Sequence, residues 1–368
     1  MTAVTYDPIS VFVEEKVASH PVTRRILQKL PHLTPTVFAD LSRFLMTPQH
    51  HDRTLAPSRK PLVLAFQKAP FLKRCPGTMN YICCGYQILN LVNNCEMNCS
   101  YCILQGYLSS PYIIVYVNIE DMFGELERKL ARNPGKIYRI GTGELADSLS
   151  TDALTNYSSQ LVTFFSDKPN AVIELKTKST AIENFIGLAH AGRTVAAWSL
   201  NTPKLMAAEE SLAPTLDQRL AAALKCQSAG FRLAFHFDPM MYYDAWETDY
   251  RSVVERLFSV IQPQNILWIS LGALRYPPHL DSIIRFSHPQ SRIVYGELVP
   301  GKDGKLRYFQ PIRTEMFGKM VAWIREFAPN VFVYLCMESS EVWQKSFGWS
   351  PKTSAGLKRM MDRLVQSL

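Results

Sequence analysis

The chain has 368 residues, 47% of them hydrophobic, with a formal net charge of +8. That is enough for one large domain or two ordinary ones around a sizeable core, while no apolar run reaches the ~20 residues of a membrane-spanning helix. The N-terminal stretch carries acids and lacks a signal-peptide core. Its eight cysteines therefore point to a reducing compartment, the cytoplasm, and to metal-binding or reactive thiols rather than disulfides.

In chain order, the pattern predicts a short strand over 9–13, a helix over 22–30, a polar loop over 47–60 and a strand over 62–67. From Tyr86 onward, apolar runs alternate with helical periodicity, which favours βα repeats and a parallel sheet. The strand predicted over 87–92 delivers a cysteine-rich loop, and a second β-branched run covers 112–117. A helix follows over 119–132, a strand over 137–140 ended by Gly141 and Gly143, and a helix over 153–165. Strands are predicted over 172–175, 195–200, 233–237, 266–271 and 331–335. The helix over 214–229 has Pro214 in its first turn, Leu216, Leu220 and Leu224 on one stripe and Gly230 just past its end. Residues 295–310 read as a β-hairpin around Gly301-Lys302-Asp303-Gly304. These elements predict an α/β fold. An N-terminal α/β extension (1–85) leads into a partial (βα)6 barrel of the TIM type (86–290), and a hairpin-and-helix segment (291–368) packs on it. Reactive groups in such a barrel collect at the C-terminal ends of the strands.

The densest chemistry lies in Cys95-Glu96-Met97-Asn98-Cys99-Ser100-Tyr101-Cys102. The C-x-x-x-C-x-x-C spacing supplies three thiolates to a 4Fe–4S cluster and leaves one iron open to a small molecule. A zinc knot drawing on these cysteines together with Cys75, Cys83 and Cys84 is the plainer alternative. The triad resembles the radical S-adenosylmethionine superfamily, in which the open iron binds S-adenosylmethionine and an electron cleaves it to a 5′-deoxyadenosyl radical.

Other candidates sit at predicted strand ends. Glu144, in Gly141-Thr142-Gly143-Glu144, could accept hydrogen bonds from an ammonium group. Lys178 could meet a carboxylate, and Ser199 and Asn201 a ribose or carboxylate. His236 and Asp238 end another strand; a satisfied histidine and a loop acid weigh there against a second metal. Cys226 reads as a core side chain.

Taken together, the segment 95–105, the run from Pro111 to Asn118 and the order of strand-end groups resemble spore photoproduct lyases. These are radical S-adenosylmethionine enzymes that reverse a methylene-bridged thymine dimer in DNA. The resemblance covers about residues 9–308. It implies that Cys95, Cys99 and Cys102 ligate the cluster, that Glu144, Lys178, Ser199, Asn201 and Asp238 line the cofactor, and that Tyr101 takes part in the chemistry. Arg307 and Tyr308 would hold a flipped-out lesion on the hairpin. The partners implied are damaged DNA and an electron donor such as flavodoxin or ferredoxin. The +8 charge is compatible with the former.

The chain departs from the family where a hydrogen-donating cysteine is expected, since Glu144 stands at that place. Ile103 follows the third cysteine where the family has a tyrosine. One account makes Cys336, at the end of the last predicted strand, the replacement hydrogen donor. Another makes the substrate a different modified base or a molecule other than nucleic acid. A third is a non-catalytic nucleic-acid-binding protein with a structural metal.

Overall fold

The computed structural model describes residues 6–47, 60–78, 80–108 and 110–368; most of the loop predicted over 47–60 lies outside them. The chain opens with β1 (Val11–Glu14), α1 (Pro21–Gln28), β2 (Thr36–Phe38), α2 (Leu41–Met46) and β3 (Leu62–Ala65). His20 and Asp40 cap the two helices, each side chain accepting from backbone N–H groups of the first turn.

Next come β4 (Leu72–Arg74), β5 (Gln87–Leu89), β6 (Val92–Asn93), α3 (Leu104–Tyr107), β7 (Ile113–Tyr116) and α4 (Ile119–Arg132). The strand predicted over 87–92 is thus two strands in two sheets: Asn90 N–H still extends the β4–β5 ladder, donating to Phe71 O at 3.0 Å, whereas Leu91 O already accepts from Tyr116 of the other sheet. β6 and β7 join the first sheet, in the order β2-β1-β3-β7-β6, with all neighbours parallel except β6. The division expected at residue 85 is therefore not a clean one: the chain starts the barrel, returns to the N-terminal sheet and goes back. Periodicity reads strand character but not which sheet a strand joins.

The barrel continues with β8 (Tyr138–Gly141), α5 (Asp152–Thr155), α6 (Tyr157–Phe165), β9 (Ala171–Thr177), β10 (Thr194–Ser199), α7 (Pro203–Glu209), α8 (Leu216–Ser228), β11 (Arg232–Met240), α9 (Trp246–Val260) and β12 (Ile266–Ala273). The helix predicted over 153–165 is broken at Asn156, whose φ of 53° is left-handed. There Asp152 accepts from Ser158 N at 2.8 Å and caps the second piece. α8 carries a capping box, Thr215 and Gln218 bonding each other's backbone N–H.

The last elements are β13 (Arg275–Tyr276), α10 (Leu280–Ser287), β14 (Val299–Pro300), β15 (Leu306–Arg307), α11 (Gln310–Phe327), β16 (Val333–Leu335), α12 (Ser340–Phe347) and α13 (Ser354–Gln366). The second sheet runs β16-β12-β11-β10-β9-β8-β5-β4 and curls into a half-barrel. Its strands are parallel apart from β4, an antiparallel edge on β5. Residues of β9 to β12 are buried on both faces, as a parallel sheet under helices requires. The hairpin is shorter than predicted: only 299–300 pair with 306–307, and β15 also pairs with β13. No helix among the described residues is long and apolar enough to cross a membrane.

Candidate active site

The cysteine loop leaves β6 at Asn94, whose φ of 73° turns the chain sharply. The Asn94 side chain then fixes the loop. Its Oδ1 accepts from Cys95 N at 2.8 Å and Lys60 Nζ at 3.1 Å, while its Nδ2 donates to Pro111 O and Tyr112 O. Lys60 Nζ also donates to Cys95 O at 2.6 Å. Further along, Gln105 Nε2 donates to Cys99 O and Ser100 O. Cys99 is buried, whereas Cys95 and Cys102 are partly exposed. Burial pushes the Cys99 thiol up to about 12 and the Cys95 thiol well above its ordinary value. Both hold their protons in this setting, and a metal bound there would have to displace them.

Among the described residues, no three His, Cys, Asp or Glu side chains converge as they would on a single ion. The donor set the loop offers is three thiols, the soft ligands that iron–sulfur clusters and zinc both take.

Behind the loop stands a buried charge network. Burial alone would lower the Lys178 pKa, but Cys99 and Glu210 outweigh it and hold the ammonium charged; Nζ lies 5.3 Å from the centre of the Tyr101 ring. Burial would likewise raise the Glu210 pKa, but Lys178 and Arg219 keep it ionised. Arg219 donates to Glu210 Oε2 at 2.5 Å and to Ser199 O at 2.8 Å. Tyr101, expected to take part in chemistry, donates its hydroxyl to Glu210, which braces the loop. Next to it, Glu209 accepts from Ser100 Oγ, and from Ser291 Oγ at 2.7 Å.

The glycine segment after β8 is shaped by close packing. A Cβ at Gly141 would overlap the Tyr86 hydroxyl, and one at Gly143 would lie 2.8 Å from Lys176 O. Glu144 is exposed at the tip. Leu145 O accepts from Asn94 N at 2.8 Å, joining this segment to the cysteine loop. Asp147 joins it to β9, accepting from Thr177 Oγ1 and Lys178 N, both at 2.6 Å. Glu144 and Lys178 therefore belong to one hydrogen-bonded frame with the cysteines.

The opposite rim is built from β11, β12 and β16. His236 is satisfied, with Nε2 at 2.8 Å from Glu174 and Nδ1 at 2.7 Å from Ser270 Oγ; Trp268 Nε1 also donates to Glu174. Asp238 takes both Arg275 Nη1 at 3.1 Å and Nη2 at 3.2 Å. Burial would raise its carboxyl, but Arg275 holds it below the usual carboxylate range. Arg275 Nη2 also reaches Cys336 Sγ at 3.5 Å. Burial, with Asp238 adding to it, pushes the Cys336 thiol well up, so this sulfur stays protonated.

Two expectations meet side chains that are already engaged. The Asn201 carboxamide accepts from Tyr250 Oη at 2.7 Å and Thr202 N at 3.0 Å and donates to Pro239 O, which supports the turn bearing Asp238. Arg307 and Tyr308, expected to hold a flipped-out lesion on the hairpin, are buried. Arg307 pairs with Asp303 at 2.7 Å and lies over the Tyr81 ring, and Tyr308 Oη accepts from Tyr242 N at 3.1 Å. Pairing of β15 with β13 folds both inward, which hairpin spacing could not reveal. Cys226 is a buried core residue.

Glu210, Arg219, Asp147 and Arg275 escaped sequence reasoning. Each lies far along the chain from its partner or on an ordinary polar stretch, and none belongs to a spaced motif.

The family model for spore photoproduct lyase matches residues 6–327. The chain is 26% identical over 205 residues to the spore photoproduct lyase of Geobacillus sp. (strain Y412MC61), an alignment covering 55% of this chain and 58% of the relative. It is 25% identical over 207 residues to that of Bacillus subtilis (strain 168), covering 55% and 60%. The matched stretch is thus less than two thirds of either relative. In fold, it is similar to a spore photoproduct lyase mutant with bound AdoMet and dinucleoside spore photoproduct, with a TM-score of 0.80 at 22% identity over 90% of this chain and 99% of that one. It is similar also to a lyase complexed with dinucleoside spore photoproduct, with a TM-score of 0.78 at 21% identity over the same shares, 90% and 99%. By the extent of the family match, this chain belongs to the spore photoproduct lyase family.

Proposed function

We propose that the protein is a radical S-adenosylmethionine lyase that repairs a thymine photolesion in DNA, with a flavodoxin or ferredoxin as electron donor. The observation carrying this reading is the joining of the three-cysteine loop, Glu144 and Lys178 into one frame at the C-terminal edge of a half-barrel, in a member of this family.

In this reading Cys95, Cys99 and Cys102 hold a 4Fe–4S cluster. With S-adenosylmethionine bound, that group supplies one-electron cleavage of a sulfonium and hence a hydrogen-abstracting radical. Glu144 takes the cofactor's ammonium, Lys178 its carboxylate, and Ser199 the wall beside them. Asn201 and Asp238, already bonded within the protein, shape that wall. Lys178 is charged and held by its surroundings, so it binds a carboxylate without reorganising. Cys336 keeps its proton and stands partly exposed at the strand end, which suits a thiol that returns a hydrogen atom to a substrate carbon radical.

The test is anaerobic reconstitution with iron and sulfide, then dinucleoside spore photoproduct, S-adenosylmethionine and a low-potential reductant. Thymidine repair with formation of 5′-deoxyadenosine is expected. Cys99→Ala should lose bound iron, cluster absorbance and 5′-deoxyadenosine together; cleavage retained in that variant would overturn the assignment. The burial of Arg307 and Tyr308 favours one second reading, a substrate other than the thymine dimer. Cofactor cleavage without thymine release would select it.

A further inference from the structure

The chain brings a second thiol to Cys336. Ile82 and Glu338 form an isolated antiparallel bridge, with Ile82 N donating to Glu338 O at 2.9 Å. Cys84 stands two residues after Ile82 and Cys336 two before Glu338, so the bridge lays their segments side by side. The pairing ends at that bridge, where Met337 has a left-handed φ of 54°, so forming a disulfide draws the two segments to within its Cα span of about 4.4–6.8 Å.

Both segments are anchored. Cys84 O accepts from Arg139, whose Nε is paired with Asp362 at 3.0 Å. Cys336 N donates to Leu271 O at 2.8 Å. Each thiol lies within the other's electrostatic reach: after burial, Cys84 is among the groups that raise the Cys336 thiol. Tyr334, besides its burial, feels both. Both cysteines are free and partly exposed, so a small oxidant or a substrate radical can reach the pair.

We infer that Cys84 is the redox partner of Cys336, the two closing a disulfide each time Cys336 gives up its hydrogen atom. The inference rests on the hydrogen-donor reading of Cys336 given above. In the first step the Cys336 S–H bond breaks, a C–H bond forms on the substrate, and a sulfur radical remains. In the second, Cys84 releases its proton and its sulfur bonds to that of Cys336. The extra electron of the new S–S unit passes to the oxidised form of the low-potential carrier protein. The two thiols thus lose one hydrogen atom, one proton and one electron, which is the balance for one disulfide. A dithiol reductant must reopen the pair before the next turnover.

Two measurements on the full reconstituted enzyme test this. In the first, repair of dinucleoside spore photoproduct is driven by reduced flavodoxin without dithiol, and peptides are mapped by mass spectrometry. Product should stop near one equivalent per enzyme with a matching yield of Cys84–Cys336 cross-link, and dithiothreitol should restart it. Cys84→Ser should give no cross-link and lose the response to dithiothreitol, which a merely structural role for Cys84 would not produce. Repair running past one equivalent with both thiols free would overturn the inference while leaving the proposed function intact.

The second measurement treats the enzyme with diamide and no substrate. A Cys84–Cys336 cross-link is expected even if no thymine lesion is repaired, in which case the substrate reading alone fails. Absence of that cross-link overturns the inference whatever the repair assay gives.

Discussion

The two rims of the barrel mouth are made of the same parallel sheet yet handle charge in opposite ways. On the cysteine-loop rim, Lys178 and Arg219 flank the carboxylate Glu210, and Lys178 acts directly on Cys99. On the other rim, Asp238 and Arg275 cancel each other beside Cys336. Burial raises the thiols on both rims, Cys99 and Cys95 on one and Cys336 on the other. At Cys99 the Lys178 ammonium works against that burial, and a bound metal would complete the loss of the proton. At Cys336 the adjoining charges form an ion pair, and the sulfur keeps the hydrogen atom it has to give.

The strongest way to break this contrast is Arg219→Met. It removes a guanidinium that is 0% exposed and strips Glu210 of its 2.5 Å partner. Leaving such a charge short of its partner costs about 3–5 kcal/mol, read as a lower urea midpoint at unchanged slope. An unchanged midpoint would mean that Lys178 and Tyr101 hold Glu210 by themselves.

Asp238→Asn probes the other rim and should cost less, about 1–3 kcal/mol at neutral pH, because an amide still accepts from Arg275. It carries a pH signature. A carboxyl depressed by Arg275 contributes stability that is complete above its unfolded pKa of about 4. That contribution is lost as pH falls through the lower native value. The wild-type stability curve should therefore drop below about pH 4 more steeply than that of Asp238→Asn. Glu174 and Glu210, also held low despite burial, leave a residual slope in the variant. Parallel curves would show that Arg275 does not hold the Asp238 carboxylate.

An effect of similar size should come from Gly141→Ala, at the end of β8 on the cysteine-loop side. The new methyl forces the Tyr86 ring aside, an overpacking cost of about 1–3 kcal/mol. In a double-mutant cycle followed by thermal melting, Tyr86→Ala should cost less in the Gly141→Ala background than in the wild type. Equal costs in the two backgrounds would mean that another neighbour limits the space at Gly141.

Local elements were legible where the signal was local. The helix over 119–132 has its expected bounds, and the one over 214–229 is trimmed to Leu216–Ser228 by its capping box and by Gly230 at φ 85°. The grouping of Cys95, Cys99 and Cys102 on one loop, and the emergence of Glu144 and Lys178 after neighbouring strands, were legible too, since a parallel sheet sends strand ends to one edge. Less legible were breaks at a single point, such as Asn156 within the predicted helix and the step from Asn90 to Leu91 within the predicted strand.

By itself, then, the sequence determined the repeating βα pattern and the residues that share a loop, because hydrophobic period and thiol spacing are properties of neighbours in the chain. Only the tertiary structure decided that 113–116 belongs to the first sheet, that Arg307 turns inward onto Asp303, that Arg219 and Tyr101 meet on Glu210, and that Ile82 pairs with Glu338. Those outcomes depend on which distant segments compete successfully for the same buried partner, and a buried charge must find its counter-ion wherever the fold supplies one.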